Sequence, residues 1–380
     1  MPDAAQPGQP TIVVFGATGY TGRLVIESLV RRGASPTLAG RSIASLEKVA
    51  AKFGGLPCKI ADIGDPASVR ALVSKGDVLI TTVGPFERYG WIAAEAAADA
   101  GAHYLDSTGE VGFVRELMQR YDQRAKETGA VMVPAFGYDY VPGILAGMLA
   151  VDKAGASATK LDVGYFAAAA GGVRRLPPPS MLSQGTRKTV ADGMSLPMTT
   201  YRNGQLTDVR MAQEVARFTV AGKRVAGILA SGTEVFQLPG HYPQLRDIRV
   251  FNGWFPALAR VMQAQSKLIE YARSSTAGRR AVDAVSARLV GPAGGPDADQ
   301  RAGTTTQVVA VARDASGAEL AAVRVQGPNT YTITGELLAV AAQRLSRGEG
   351  RQPGVVGPID AFGADALVAT CSNAGLHAAP

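Results

Sequence analysis

Residues 11–22 read Thr-Ile-Val-Val-Phe-Gly-Ala-Thr-Gly-Tyr-Thr-Gly, and this stretch decides the first part of the fold. Its apolar run at residues 12–15 predicts a short, buried β-strand. Gly16, Gly19 and Gly22 follow at a spacing of three residues and predict a tight turn into a helix. A strand, a glycine-rich turn and a helix in this order form the pyrophosphate site of dinucleotide-binding folds, because the helix N-terminus presents free backbone N–H groups.

At each glycine of this turn, a different structural requirement excludes a side chain. Gly16 permits the sharp turn, Gly19 lets the pyrophosphate approach the backbone, and Gly22 lets the helix pack closely on the strand. We therefore expect the whole loop to contact the cofactor, namely Gly16, Ala17, Thr18, Gly19, Tyr20, Thr21 and Gly22. Glycine-rich turns also occur for purely structural reasons, so the residues that follow have to distinguish the two interpretations.

The end of the second predicted strand indicates which dinucleotide is bound. After the apolar run at residues 36–39, Gly40, Arg41 and Ser42 stand where this fold meets the adenosine ribose. NAD-specific sites have an acidic residue there, which accepts a hydrogen bond from the 2′-hydroxyl. Arg41 and Ser42 instead suit a 2′-phosphate, so the sequence predicts NADP(H) as cofactor. The alternative is that Arg41 is only a solvated residue before a helix.

Two more loops follow predicted strands on the same edge of the sheet, where ligands of open α/β sheets bind. The turn after the fourth predicted strand, formed by Thr82, Val83, Gly84 and Pro85, is expected beside the nicotinamide. Asp62 follows the third predicted strand. Its carboxylate could accept a hydrogen bond from the adenine amino group, or it could hold a turn or a helix cap.

The alternation of strands and helices predicts an α/β fold whose first domain, residues 11–150, is a Rossmann-type doubly wound parallel sheet. Residues 151–328 mix short strands, one of them at residues 234–238, with helices, and predict a second, mixed α+β domain for substrate binding or dimerisation. Residues 329–380 are expected to form a helix and a tail that pack back on the first domain. Residues 1–10 are expected to be a disordered tail.

Composition excludes several classes of function. The 39 Lys and Arg exceed the 32 Asp and Glu only modestly and are scattered along the chain, so we expect no nucleic-acid partner. Cys58 and Cys371 are far apart, and His103, His241 and His377 lack the spacing of metal ligands, so no metal site is predicted. No apolar stretch of about 18 residues and no signal segment occur, which predicts no membrane insertion and a cytoplasmic location.

Five motifs occur in a fixed order: residues 16–22, residues 39–42, residues 83–86 with Tyr89 and Gly90, residues 103–110 (HYLDSTGE) and residues 137–142 (GYDYVP). Together they resemble the saccharopine dehydrogenase-like reductases, especially the branch that includes the trans-acting enoyl reductases of lipid and polyketide assembly. The resemblance covers about residues 11–145 and, more weakly, residues 354–363. It implies a Rossmann domain, a mixed-sheet domain that often forms dimers, and NADPH as the hydride donor.

The chain departs from this branch in two places. The branch usually has Gly-Phe-Asp-Ser before Val-Pro, whereas this chain has Gly137, Tyr138, Asp139 and Tyr140. The middle third of the chain is also shorter and matches poorly. The resemblance therefore does not extend to the pocket that binds the hydride acceptor.

Reduction by NADPH usually needs a group that orients or protonates the acceptor. Tyr138 and Asp139 follow the sixth predicted strand and are expected to face the nicotinamide; alternatively, Tyr138 packs and Asp139 caps the next helix. His241 lies in a turn-like Pro-Gly-His-Tyr-Pro sequence and is a third candidate, although a surface histidine is the commoner case. Asp106 and Glu110 lie on the same edge, and a cap for the helix around residue 113 explains one of them.

The sequence thus predicts an NADPH-dependent oxidoreductase that reduces a conjugated, enoyl-type C=C bond in a biosynthetic pathway such as secondary metabolism. One alternative is an imine (C=N) reductase of the saccharopine reductase type. Others are a catalytically inactive dinucleotide-binding partner protein and a non-redox isomerase or cyclase. The expected partners are a small-molecule or carrier-bound substrate and a second copy of the chain in a homodimer.

Overall fold

The computed structural model describes residues 10–169, 172–173, 198–273, 275 and 294–379. Nearly all of the predicted disordered tail at residues 1–10 lies outside these residues. The described chain divides into two units. Unit 1 comprises the residues up to Val141 together with Tyr331–Gly375, and unit 2 comprises Pro142–Thr330 together with the residues from Leu376 onwards.

The strands in chain order are β1 (Ile12–Phe15), β2 (Thr37–Gly40), β3 (Cys58–Ile60), β4 (Val78–Thr81), β5 (His103–Asp106), β6 (Val131–Val133), β7 (Lys160–Ala169), β8 (Gly172–Val173), β9 (Met198–Arg202), β10 (Gln205–Val209), β11 (Val215–Val220), β12 (Lys223–Ala230), β13 (Asp247–Asn252), β14 (Thr304–Arg313), β15 (Glu319–Gly327), β16 (Gly354–Val355) and β17 (His377–Ala379).

The helices in chain order are α1 (Tyr20–Arg31), α2 (Ile43–Ala50), α3 (Pro66–Arg70), α4 (Phe86–Tyr89), α5 (Trp91–Ala100), α6 (Val111–Thr128), α7 (Val141–Ala154), α8 (Glu234–His241), α9 (Ala259–Arg273), α10 (Ala298–Ala302), α11 (Thr330–Ser346), α12 (Pro358–Phe362) and α13 (Ala364–Asn373). Within the described residues, no helix is both long enough and apolar enough to cross a bilayer.

Unit 1 is built on a parallel sheet of seven strands in the order β16-β6-β5-β4-β1-β2-β3. β1 pairs with β2 on one side and with β4 on the other, so the winding direction reverses at β1. The loops after β1 and β4 therefore flank the crevice in which such sheets bind ligands.

The helices of unit 1 pack on this sheet through small and aliphatic side chains. Five alanines of α5 are buried, and their small size lets the helix lie close to the strands. Tyr104 of β5 and Phe113 of α6 belong to the same core and are fully buried. α6 ends at Thr128, and the φ of +88° at the next residue, Gly129, suits a residue without Cβ.

Unit 2 is built on a mixed sheet in which β10-β9-β13-β7-β14-β15-β17 are neighbours in that order. β13 and β7 run parallel, whereas β14 is antiparallel to both β7 and β15. β14 and β15 follow each other along the chain and form a hairpin. β12 pairs with both β11 and β13, and Phe218 of β11 packs edge-on against Phe166 of β7 with ring centroids 5.5 Å apart.

The predicted α/β fold, with a Rossmann-type parallel sheet and a second mixed-sheet domain, is confirmed. The predicted strand at residues 234–238 is wrong, because these residues form α8. Val235 and Leu238 are both buried at a spacing of three residues, which is the period of a helix face, and an apolar run this short fits either structure.

Candidate active site

The turn between β1 and α1 has no room for side chains at its glycines. Gly16 has a φ of +88°, and a Cβ on it would lie 2.7 Å from Thr82 Oγ1. A Cβ on Gly22 would lie 2.4 Å from the carbonyl oxygen of Gly16, and one on Gly19 would lie 3.1 Å from the same oxygen. The glycine pattern therefore reflects close packing of the turn against the helix and against the loop after β4.

The N-terminus of α1 is suited to an anion. Its N-cap is Gly19, which supplies no side-chain hydrogen bond, and the first turn contains no acidic residue. Backbone N–H groups at such a helix start bind phosphate groups, and the helix dipole adds a favourable field. These features fit the pyrophosphate of a dinucleotide at Gly16–Gly22 as the sequence predicts.

Arg41 and Ser42 follow directly after β2, and both are exposed. The hydroxyl of Ser42 accepts a weak hydrogen bond from the backbone N–H of Ser45 at 3.4 Å and so caps α2. Arg41 has no ion pair or hydrogen bond within the described part of the chain. Its guanidinium is therefore available to an external anion such as a 2′-phosphate.

The carboxylate of Asp62 holds a turn. Its Oδ1 accepts a hydrogen bond from the backbone N–H of Gly64 at 2.8 Å, and Ser68 Oγ accepts one from the backbone N–H of Asp62 at 3.0 Å. Of the two roles expected for Asp62, the structure shows that its carboxylate holds a turn. Contact with the adenine stays a prediction.

The loop after β4 is fastened to the loop after β1. The backbone N–H of Thr82 donates to the carbonyl oxygen of Phe15 at 2.9 Å, and the Thr82 hydroxyl lies 3.3 Å from the carbonyl oxygen of Gly16. The Gly84–Pro85 peptide bond, which follows Val83, is cis. Thr82 and Val83 are half-buried, whereas Gly84 is exposed.

Glu110 connects the loop after β5 to α4. Its Oε1 accepts a hydrogen bond from the backbone N–H of Phe86 at 3.0 Å, and its Oε2 accepts one from that of Glu87 at 2.8 Å. The expectation that Asp106 or Glu110 caps the following helix is wrong, because α6 begins after Glu110 without a side-chain cap and Glu110 serves α4 instead.

Asp106 connects the loop after β5 to the loop after β6. Its buried Oδ1 accepts hydrogen bonds from the backbone N–H groups of Thr108 at 2.9 Å and of Ala135 at 2.8 Å. Burial raises the pKa of Asp106 to about 6, although these two hydrogen bonds act in the opposite direction. Together, Asp106 and Glu110 hold the loops after β4, β5 and β6 in one hydrogen-bonded set.

The loop after β6 contains the predicted catalytic pair. The hydroxyl of Tyr140 donates to the carbonyl oxygen of Gly109 at 2.8 Å. Tyr138 is buried, and its backbone N–H donates to Thr334 Oγ1 at 3.1 Å. Asp139 is partly exposed, and desolvation raises the pKa of its carboxyl to about 7.

The Asp139 carboxyl makes no hydrogen bond within the described residues, so the expected helix-capping bond is not among its contacts. Its Oδ2 lies 3.1 Å from where a Cβ on Gly109 would stand, which places the carboxyl beside the loop after β5. An unbonded carboxyl with a pKa near neutrality can both donate and accept a proton.

His241 lies elsewhere, at the C-terminal end of α8 in unit 2, and is exposed. The turn expected around it is partly helical, because α8 continues through Pro239 to His241. The next residue, Tyr242, donates a hydrogen bond to Asp152 Oδ1 at 2.8 Å. A catalytic role for His241 stays a prediction.

Unit 2 contains a buried polar pair that sequence reasoning missed. The hydroxyl of Tyr165 donates to Glu234 Oε1 at 2.6 Å, and both side chains lie so close to Gly143 that a Cβ there would be 2.0 Å from each. Tyr165 occupies an ordinary inward position of β7, and Glu234 lies in the segment predicted as a strand. Nothing in the sequence indicates that Tyr165 and Glu234, which are 69 positions apart, are in contact.

Within the described residues, no group of three or more His, Cys, Asp or Glu side chains could hold a metal ion.

Comparison with known proteins agrees with the geometry of unit 1. Residues 12–133 match the family model described as the saccharopine dehydrogenase NADP binding domain. This match confirms the prediction of an NADP(H) cofactor.

A segment of the chain is similar to curated mycobacterial proteins. It is 41% identical over 140 residues to a trans-acting enoyl reductase of Mycobacterium ulcerans, covering 35% of this chain and 34% of that protein. It is 40% identical over 148 residues to a putative trans-acting enoyl reductase of Mycobacterium tuberculosis, covering 37% of this chain and 35% of that protein. The matched segment thus spans about a third of these relatives.

The fold of the whole chain is similar to that of a solved structure. Apo histidine-tagged saccharopine dehydrogenase (L-Glu forming) from Saccharomyces cerevisiae aligns over 98% of this chain and 99% of its own with a TM-score of 0.62. The sequence identity is 13%, so this likeness concerns the fold alone.

Proposed function

Residues 12–133 are an NADP-binding domain of the saccharopine dehydrogenase type, and we propose that the chain is an NADPH-dependent reductase of a conjugated, enoyl-type C=C bond. The observation that carries the choice of substrate class is the identity of about 40%, over a third of this chain, to proteins named trans-acting enoyl reductases. The acceptor is a small molecule or an acyl group held on a carrier, in a biosynthetic pathway. A cytoplasmic location and a homodimer remain predictions from the sequence.

The cofactor-binding roles follow from the loops of unit 1. The glycine-rich turn at residues 16–22 would hold the pyrophosphate, and Arg41 with Ser42 would hold the 2′-phosphate. The turn from Thr82 to Pro85 would lie along the nicotinamide end, since it is hydrogen-bonded to the loop after β1. When bound, NADPH supplies a hydride to an electrophilic carbon.

Reduction of the C=C bond also requires a proton at the carbon next to the one that accepts the hydride. Asp139 supports this role, because a carboxyl with a pKa of about 7 is still partly protonated at neutral pH. Glu110, Asp106 and Tyr140 would keep the loops around Asp139 in place through their hydrogen bonds. Tyr138 would orient the loop from its buried position.

The proposal is tested by following the loss of NADPH absorbance with the purified chain and two sets of acceptors, α,β-unsaturated thioesters and cyclic imines. Oxidation of NADPH by the thioesters, with the saturated thioester as product, is the expected result. Turnover of imines alone would replace the proposal by imine reduction. Tight binding of NADPH without oxidation by either set would indicate a dinucleotide-binding partner protein, and conversion of an acceptor without loss of NADPH would indicate an isomerase.

A further inference from the structure

Helix α11 lies against α1, the helix whose N-terminus would hold the pyrophosphate. The ring of Tyr331 packs edge-on against that of Tyr20, with the ring centroids 5.3 Å apart. One turn further along both helices, a Cβ on Gly335 would lie 3.0 Å from the carbonyl oxygen of Leu24, so the two helices are in close contact there. The N-terminal half of α1 therefore packs directly on the N-terminal half of α11.

The C-terminal end of α1 is held to the same helix by polar contacts. Glu336 Oε2 accepts hydrogen bonds from Ser28 Oγ at 2.9 Å and from the guanidinium of Arg32 at 2.7 Å. Gln343 Nε2 donates to the carbonyl oxygen of Arg32 at 3.2 Å. The contacts thus continue in the same direction along both helices, and close-packed elements of this kind transmit a displacement from one to the other.

The same part of α11 also holds the loop after β6. The hydroxyl oxygen of Thr334, which precedes Gly335, accepts a hydrogen bond from the backbone N–H of Tyr138 at 3.1 Å. A Cβ on Gly137 would lie 2.9 Å from Thr334 Cγ2, so the loop lies directly on this side chain. Asp139 follows Tyr138 in the chain, at a Cα distance of about 3.8 Å. The position of Asp139 therefore depends on Thr334.

The loop needs this support, because its backbone is not in a favourable conformation. Ala135 has a φ of +56°, which is unfavourable for a residue with a Cβ. Asp106 fixes one end of the loop through the N–H of Ala135, and the hydroxyl of Tyr140 fixes the other end through the carbonyl oxygen of Gly109. Between these two points, Thr334 supplies a contact from α11.

We propose that Thr334 is a positioning residue: through α11, it sets the place of Asp139 relative to α1, so that binding of NADP(H) orders the loop after β6. The coupling between cofactor and loop requires only the NADP-binding site. The use of the ordered loop in proton donation rests on the proposed function. Under that function, the proton donor would be in place only when the hydride donor is bound.

Hydrogen exchange of the full chain, with and without saturating NADP⁺, tests the coupling without any acceptor. The amides of Tyr140 and Val141 are measured, because they donate to the carbonyl oxygens of Ala135 and Gly137 and keep these partners when Thr334 is changed. NADP⁺ should slow their exchange at least about fivefold in the parent chain and in Thr334→Ser, which keeps the hydroxyl. In Thr334→Val, which lacks the acceptor, NADP⁺ should slow it less than about twofold.

Thr332→Val is the matched control, because Thr332 is a half-buried residue of the same helix whose side chain makes no hydrogen bond within the described part of the chain. It should leave the effect of NADP⁺ at the parent value. Tyr331→Leu removes the ring that packs on Tyr20 and should reduce the effect as Thr334→Val does, so it gives the answer if Thr334→Val does not fold.

The proposal is overturned if NADP⁺ protects the loop of Thr334→Val or of Tyr331→Leu as strongly as that of the parent chain, or if Thr332→Val loses the same protection. Absence of protection in the parent chain would also overturn it. With an enoyl acceptor, Thr334→Val should lower kcat about tenfold and Thr334→Ser should retain it. Loop protection without turnover of any acceptor would refute the proposed reaction and leave the coupling intact.

Discussion

The carboxylate of Glu110 accepts a hydrogen bond from the backbone N–H of Phe86 at 3.0 Å, across 24 positions of sequence. A second oxygen of the same carboxylate accepts from the next N–H, so one side chain satisfies two free donors at the start of α4. The turn that is expected to lie along the nicotinamide directly precedes α4. The position of that turn therefore depends on a residue from the next strand loop.

Glu110→Ala should lower the free energy of unfolding by about 2 kcal/mol, because two N–H groups lose a charged acceptor. It should also raise the KM for NADPH. Chemical denaturation and steady-state kinetics measure the two effects. Glu116→Ala is the control: Glu116 lies on the exposed side of α6 in an ion pair with Arg120 at 2.5 Å, and its loss should cost less than about 1 kcal/mol. Similar effects of the two variants would contradict the role of Glu110.

Arg41→Ala should weaken the binding of NADPH at least about tenfold and leave NADH unchanged, because only NADPH has a 2′-phosphate for the guanidinium. Titration of nicotinamide fluorescence with both cofactors gives the two affinities. Lys48→Ala removes an exposed charge from α2 and should affect neither cofactor. An equal loss for NADPH and NADH, or no loss, would show that Arg41 does not bind the 2′-phosphate.

Gly22→Ala should abolish tight NADPH binding, since the new Cβ would lie 2.4 Å from the carbonyl oxygen of Gly16. The turn or the helix has to move, at a cost of about 1–3 kcal/mol in stability. Gly240→Ala, in α8, meets no atom within 4 Å and should be neutral or slightly stabilising. Thermal unfolding with and without NADPH measures both variants. A Gly22→Ala protein that binds NADPH normally would refute the close-packing argument.

The rate of reduction should fall as the pH rises through about 7, because only the protonated carboxyl of Asp139 can donate. Asp139→Asn should lower kcat by about 10²-fold or more and remove this pH dependence, while the affinity for NADPH stays within about twofold. The measurement is a kcat profile against pH for both proteins. An unchanged profile in Asp139→Asn would assign the proton to another group or to water.

Asp106 should make stability depend on pH in a defined direction. Its pKa in the folded state, about 6, lies above its ordinary value of 3.8, so folding favours the protonated form. This contribution is fully present below about pH 4 and is lost as the pH rises through 6, and it amounts to about 3 kcal/mol between pH 4 and pH 8. In Asp106→Asn, the free energy of unfolding should not show this decline with rising pH, as measured by denaturation of the variant and the parent chain at several pH values. A parallel decline in both proteins would contradict the assignment.

The cofactor loops could be predicted because their signals are local. The spacing of Gly16, Gly19 and Gly22 and the position of Arg41 after an apolar run depend on backbone geometry within a few residues. Glu110, in contrast, has the residue type and the position expected of a helix cap, whereas the backbone N–H groups that bind its carboxylate lie at the start of α4. Only the parallel pairing of β4 with β5 brings those loops together.

Contacts between residues far apart in the sequence could not be predicted from it. Tyr138 is held by Thr334 from 196 positions away, and Tyr165 meets Glu234 across 69 positions. Polar residues of these types occur throughout the chain, and nothing in their immediate neighbours selects the partner. The predicted strand at residues 234–238 failed for a related reason, since a five-residue apolar pattern does not separate the periods of helix and strand.

The return of residues 331–375 to unit 1 has a consequence for biosynthesis of the chain. During synthesis, the first six strands emerge well before β16, which covers the edge of β6, and before Glu336, which accepts a hydrogen bond from Ser28 at 2.9 Å. Until the last part of the chain leaves the ribosome, the nascent sheet keeps an open edge that other strands can join. A fragment that stops after residue 150 would keep this edge permanently, and we expect it to aggregate where a chain that includes residues 331–375 does not.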